Sequence, residues 1–296
     1  MLQNESVTIR NLNTLFQNES DQNMDYKTIL ERYGIHQFYG ADYWEWGFRQ
    51  LGKKNAMKID RLRKPLQRGD PTRRELLAFY EFVAQPSIAG IVHSIKADAI
   101  RASGEAVLSH LDNSPKSVLD VGCNIGYLSV WLSKILPQTE VLGIDISPSS
   151  IETAKTMAKK LGATDVTFVA GDPRTKLKGK IFDSVIDCQT LLDASESGEL
   201  IRTVCELLDS RGKLISVSPI RSETALRLFC ENLEANNVRV QKLLMVPFSD
   251  CGEYGVYTLI YGEKDGEESD VDIDRYIKRL ADNVAIHKSI SDEVDQ

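Results

Sequence analysis

A carboxylate and two glycines carry the first chemical signal in this sequence: Asp120, Gly122 and Gly126 in the segment SVLDVGCNIG, residues 117–126. The β-branched, apolar run from 117 to 121 predicts a strand that ends in the glycine turn. After it, Leu128, Trp131, Leu132 and Ile135 recur at helical spacing. Strand, tight turn and helix put a helix N-terminus and free backbone N–H groups at the carboxyl edge of a parallel sheet, where a cofactor can be held. The turn reads Gly122-Cys123-Asn124-Ile125-Gly126. That is an Asp-x-Gly-x-x-x-Gly spacing, not the G-x-G-x-x-G of dinucleotide sites. Its middle residue, Asn124, tolerates positive φ better than other non-glycine residues, so a tight turn survives there.

Other carboxylates fall where such a sheet edge needs them. Asp145 lies 19 residues beyond Gly126, in a second apolar strand over 139–147. An acidic residue at that strand's end meets a ribose, and its carboxylate accepts two hydrogen bonds from vicinal hydroxyls. A third strand, 166–172, ends in Asp172. A fourth, 182–194, brings Asp187, Cys188 and Gln189 to the same edge.

At these residues the chain resembles the class I S-adenosylmethionine-dependent methyltransferases, whose first motif reads much like VLDVGCNIG. GIDISPSSIETAK and the order of a helix, Arg211-Gly212-Lys213 and a strand are similar too, so the resemblance covers about residues 117–262. It implies S-adenosyl-L-methionine as cofactor and places Asp172 at the adenine amino group. It implies a cofactor site of Asp120, Gly122, Cys123, Asn124, Gly126, Asp145, Ile146, Asp172, Asp187 and Cys188. The implied fold is α/β: a doubly wound, seven-stranded, mainly parallel sheet with a C-terminal antiparallel hairpin and a helical N-terminal extension. The residues agree, since VRVQKLLMVPF and YGVYTLIYGE are separated only by SDCGE, too short for a helical crossover. Such an ending speaks against a nicotinamide-binding domain.

The strand-four end, DCQT, is not the Asn/Asp-Pro-Pro-Tyr/Phe of resembling nucleic-acid amino-methyltransferases. Cys188 lacks the preceding proline of cytosine carbon-5 enzymes, so it lines the cofactor pocket or simply packs. A hydroxyl acceptor needs a base. Asp187, Asp193, His36 and Tyr43 are candidates, and the catalytic residue stays unassigned.

Three regions position these groups: a helical cap or substrate region over 1–115, the methyltransferase core over 116–262, and an acidic linker with a C-terminal helix over 263–296. Residues 1–24 read as a polar tail with weak apolar spacing at Val7, Ile9, Leu12 and Leu15-Phe16. Residues 25–34 fit one helical face, with Gly34 as a stop. The stretch 35–48 holds six aromatics with no clear period and reads as a loop or broken helix. It either lines a pocket as a lid or packs between helices. Residues 49–74 carry ten basic side chains (Arg49, Lys53, Lys54, Lys58, Arg61, Arg63, Lys64, Arg68, Arg73 and Arg74) against two acids, in a chain of net charge −7. That asymmetry is either a surface for an anionic partner or a solvated face.

Ordinary composition, no apolar run of membrane-spanning length and no signal-like start predict a soluble, cytoplasmic protein. Five cysteines without C-x-x-C spacing indicate neither zinc nor a disulfide framework. The favoured function is methyl transfer to an O or N atom of a small-molecule acceptor, anionic or aromatic, held under the cap. RNA or a carrier-protein-bound substrate engaged through the basic stretch is the alternative, and a non-catalytic S-adenosylmethionine-binding scaffold is another.

Overall fold

The computed structural model describes residues 24–40, 42–68, 71–112, 114–192 and 198–294, with side chains through 284. The tail before residue 24 and the candidate base Asp193 lie outside the described residues. Four apolar runs form parallel strands: β1 (Ser117–Val121), β2 (Glu140–Asp145), β3 (Val166–Ala170) and β4 (Phe182–Cys188). β5 (Leu208–Ser218) pairs parallel with β4. β6 (Val238–Asp250) and β7 (Glu253–Lys264) form the antiparallel hairpin, with β7 inserted between β5 and β6. The sheet order is β3-β2-β1-β4-β5-β7-β6, the seven-stranded mixed sheet expected.

Strand alternation divides the core, because neighbouring side chains point to opposite faces. Val118, Ile186, Ile215 and Leu259 join one cluster. Their neighbours Leu119, Val185, Leu214 and Ile260 join another. The second face is covered by α9 (Glu199–Leu207), α10 (Glu223–Ala235) and α11 (Ile273–Val294). Tyr276 of α11 is buried and its hydroxyl lies 2.7 Å from Thr258 Oγ1, so the C-terminal helix docks on the hairpin.

The first face carries α6 (Tyr127–Ile135) together with two helices from the N-terminal region, α1 (Tyr26–Arg32) and α5 (Ala97–Leu108). Tyr26 stacks on Trp131 at 4.4 Å, and Trp131 Nε1 donates to the Met24 carbonyl. Gly104 gives Tyr26 its room: a Cβ there would stand 2.1 Å from the ring. α7 (Pro148–Lys160) follows β2, and the short α8 (Pro173–Lys176) follows β3.

Between α1 and α5 run α2 (Asp42–Gln67), α3 (Arg73–Val83) and α4 (Pro86–His93), followed by a 3-10 turn, Ser94–Lys96. Thr72 and Glu75 form a capping box at the start of α3. α2 breaks at Gly52, whose φ of 68° and ψ of 157° suit glycine alone. These helices close a small cluster of their own around Ile59, Phe82, Val83 and Ile88.

The aromatic stretch is a loop followed by the start of α2. Its rings pack on one another, with His36, Phe38 and Tyr43 all meeting Trp46. β5 begins five residues before the expected Lys213, because Leu208 already pairs with Phe182 across a register shift. The β6–β7 strands are longer than their apolar runs suggest. Their turn is only Cys251 and Gly252, at φ 53° and 84°, the positive pair a two-residue hairpin turn requires.

Candidate functional site

The turn after β1 is built from backbone. Gly122 N and Cys123 N both donate to the Ile144 carbonyl of β2, and Gly126 N returns to the Cys123 carbonyl. Gly122, Asn124 and Gly126 all have positive φ. Gly122 is also needed for space, since a Cβ would fall 2.0 Å from Thr190 Oγ1. Asn124 holds its left-handed conformation as expected of asparagine, and its side chain reaches the cap. Nδ2 lies 3.5 Å from His93 Nε2, while Oδ1 is buried without a partner among the described residues.

Three carboxylates surround this turn, Asp120 and Asp187 buried and Asp145 half-buried. Asp120, next to last in β1, is 2% exposed and accepts from the Ser129 hydroxyl. Burial pushes its carboxyl up to about 7, with Asp187 and Asp145 adding to the rise and the Ser129 bond opposing it. Asp145 takes one backbone N–H on each oxygen, from Asn124 at 3.0 Å and Ser147 at 2.8 Å. Burial still holds its carboxyl above the ordinary value. Asp187, fully buried, accepts from Thr190 N, Leu191 N and the Ser216 hydroxyl. Those bonds pin the turn that carries Cys188 and Gln189, so Asp187 shapes the site as an anchor.

A narrow cleft of about 20 Å³ lies outside the carboxyl ends of β1 and β4, where the strand order reverses and α/β sheets bind ligands. Its floor is Asp120, Gly122, Cys123, Cys188 and Gln189, and its roof comes from Tyr26, Ile100 and Ser103 of α1 and α5. Burial pushes both thiols, Cys123 and Cys188, well above their ordinary range, so neither is a nucleophile at neutral pH.

The roof is fastened on both sides. Towards α7, Thr153 Oγ1 donates to the Ala84 carbonyl, and the Ser147 and Ser149 hydroxyls donate to Glu81 of α3. Towards the hairpin, Asp250 accepts from Asp98 N and Ala99 N, Asp98 accepts from Ser249 N, and Cys251 N donates to the Phe38 carbonyl.

Among the expected site residues, Asp120, Gly122, Cys123 and Cys188 line the cleft directly. Asn124, Gly126 and Asp145 build the turn beside it, and Ile146 forms the bend between β2 and α7. Asp172 stands differently. It caps α8 and is held by Arg174 through two nitrogens, which lowers its carboxyl below the usual range. Of the candidate bases, Tyr43 donates to the Ile91 carbonyl, and burial pushes its phenol up to about 12. His36 is exposed and packs on Trp46.

Sequence reasoning brought Gln189 to this edge and missed Tyr26, Ile100, Ser103, Tyr127, Leu128 and His93 as site residues. Tyr127 directly follows Gly126 and could have been included. The roof residues belong to helices that nothing local ties to the turn. His93 packs edge-on against Tyr127, and burial with nearby Lys96 brings its imidazole down to about 4, so it is neutral at physiological pH.

These features fit an adenosyl cofactor. The positive-φ turn leads into the start of α6, where first-turn N–H groups have no intrahelical acceptor, the carboxylates accept from hydroxyls or an ammonium group, and the buried Asn124 Oδ1 lacks a donor among the described residues.

Comparison with known proteins agrees with that chemistry. The chain matches the family described as a methyltransferase domain over residues 112–273, more than half its length. A malonyl-[acyl-carrier protein] O-methyltransferase of Anoxybacillus flavithermus is 25% identical over 119 residues, 40% of this chain and 45% of that protein. A ribosomal RNA small subunit methyltransferase C of Salmonella arizonae is 28% identical over 199 residues, 59% of this chain and 57% of its own. The chain spans about half the length of these curated relatives. The solved structure of StiE O-MT residues 942–1257 shares the fold, with a TM-score of 0.50 at 14% identity over 56% of this chain and 74% of that one. With the family match covering all seven strands and the glycine turn, the chain belongs to the methyltransferase-domain family, whose fold is that of the class I S-adenosylmethionine-dependent methyltransferases.

Proposed function

We propose that the protein methylates an O or N atom of a small-molecule acceptor held between the glycine turn and the N-terminal helices. The observation that carries this reading is the roofed cleft. Tyr26, Ile100 and Ser103 face the β1 and β4 ends, so the acceptor site is partly enclosed by the chain itself. S-adenosylmethionine supplies an already activated methyl group. The protein's task is then to orient the acceptor and exclude water. In this reading residues 1–115 form the acceptor-binding cap, 116–262 the cofactor core and 263–296 a linker and buttressing helix.

Asp120, Gly122, Cys123, Asn124, Gly126, Asp145, Ile146, Asp172, Asp187 and Cys188 form the proposed cofactor site. Asp145 is the proposed ribose ligand and Asp120 the proposed partner of a cationic group. For Asp172 to meet an adenine amino group, one of its oxygens must share its bonds with Arg174. Cys188 and Gln189 border the acceptor side, where Lys96 Nζ lies 3.4 Å from Gln189 Oε1 and offers a cation to an anionic acceptor.

A second reading rests on α2. Its outer face shows Trp44 and Phe48, both more than half exposed, beside the basic run from Arg49. That surface suits an acceptor tethered to an acidic carrier or to RNA.

Calorimetric titration with S-adenosylmethionine and, separately, with NAD is the direct test. Micromolar binding of the first alone is expected. Asp145→Ala is expected to weaken it by about 1.5–3 kcal/mol, the loss for a hydrogen bond to a charged group, and unchanged affinity would refute the assignment. Turnover of small anionic or aromatic acceptors, read as S-adenosylhomocysteine release, separates the two readings. Turnover only with carrier- or RNA-bound acceptors would favour the second.

A further inference from the structure

The cap helix α3 places a second carboxylate beside Asp145. Glu81 accepts from Ser147 Oγ at 3.3 Å and Ser149 Oγ at 2.5 Å, both in the segment that follows Asp145 and opens α7. Asp145 is bound to the same segment through Ser147 N, and to the glycine turn through Asn124 N. Glu81 is close enough to contribute to the raised carboxyl of Asp145. No ion pair involves either residue among the described residues, and no cluster there could hold a metal.

Acceptors therefore outnumber donors around this turn. Two carboxylates offer about eight lone-pair sites, and four protein donors reach them: two backbone N–H groups and two serine hydroxyls. Asn124 supplies an independent sign, because its Oδ1 is buried with no donor among the described residues. Like charges and orphan acceptors this close cost free energy until something donates to them. A vicinal diol supplies two O–H donors at the spacing of neighbouring carbons and brings no negative charge.

We propose that Glu81 is a cofactor-binding residue supplied by the N-terminal cap, and that the cofactor's ribose diol is held between Asp145 on the sheet and Glu81 on α3. The inference rests on the cofactor reading above and adds to it. Adenosyl binding then fastens α3 to α7, so the cap is part of the cofactor site as well as the roof of the acceptor cleft. Thr153 and Ala84 hold the same two helices together one turn further along.

The test is calorimetry with S-adenosylhomocysteine and its 2′-deoxy and 3′-deoxy analogues, on the full chain and on Glu81→Gln and Ser149→Ala. Glutamine keeps the reach and an acceptor for the serine hydroxyls while removing the charge. Ser149→Ala removes one α3–α7 bond and leaves the charge. The wild type is expected to bind S-adenosylhomocysteine more tightly than either analogue. Glu81→Gln is expected to lose about tenfold or more for the parent compound and to stop discriminating against one deoxy analogue. Ser149→Ala keeps that discrimination. If Glu81→Gln binds all three ligands as the wild type does, or loses equally for all three, Glu81 only joins two helices and the proposal is wrong. If the wild type binds none of them, the cofactor site itself is misassigned and the inference falls with it.

Discussion

At the scale of single residues, Asp120 sets a measurable pH dependence. The unfolded chain releases this proton near the ordinary aspartate value of about 3.9, whereas in the fold burial brings the carboxyl up to about 7. The folded state therefore holds the proton more tightly, and the contribution of Asp120 to stability falls as pH rises between those two values. Asp120→Asn mimics the protonated side chain and still accepts from the Ser129 hydroxyl. Its unfolding free energy should match the wild type near about pH 4 and exceed it by a few kcal/mol at about pH 8, by denaturant titration. An equal difference at both pH values would show that Asp120 is ionised in the fold. A cofactor whose cationic group meets Asp120, as proposed above, would favour the ionised carboxylate and flatten the slope.

At the scale of elements, the hairpin of β6 and β7 does more than close the sheet. Ser218 of β5 pairs with Thr258, so β7 residues before that point run past the carboxyl edge towards the cap. There Asp250 caps α5 through two backbone N–H groups, and Asp98 returns a bond to Ser249 N. Asp250→Ala leaves the α5 start uncapped and should cost about 0.5–2 kcal/mol, the usual range for an N-cap. Hydrogen exchange should quicken at 97–99 and 249–252 together, while β1 and β4 stay protected. Exchange confined to the hairpin tip would mean that the latch does not hold α5. The two-residue turn that aims this latch depends on positive φ at Cys251 and Gly252.

At the scale of the whole molecule, the cap cannot be lifted away as a unit. α1 and α5 share a core with Val118, Ile186, Ile215 and Leu259 of the sheet. Removing residues 1–112 would strip Tyr26 from Trp131 and uncover that face. The truncated chain should lose cooperative unfolding and bind a hydrophobic dye, because burying large apolar side chains contributes about 1.5–3 kcal/mol each. A soluble fragment with a sharp thermal transition would overturn this. The proposed role of the cap in turnover is better probed by substitutions in α3 and α4, which share a separate cluster with α2. Among the described residues, no single helix is long and apolar enough to cross a membrane.

What the sequence determined by itself is the sheet and the turn. Short apolar, β-branched runs, glycine placement and the short SDCGE link are local signals, and a strand, a positive-φ turn or a hairpin is decided largely by the residues within it. Asp120, Gly122, Asn124 and Asp145 were legible for that reason, with Asn124 recognisable because few side chains tolerate its backbone. The early start of β5 and the extra length of the hairpin were less so, since the added residues are largely polar and carry no apolar signal. Only the tertiary structure decided which helices roof the cleft. Tyr26 meets Trp131 across 105 positions of chain, and Glu81 meets Ser147 and Ser149 across more than 60. Such contacts depend on where whole elements pack, and burial then sets the chemistry: it neutralises His93, raises Asp120 and leaves Asn124 Oδ1 without a donor among the described residues.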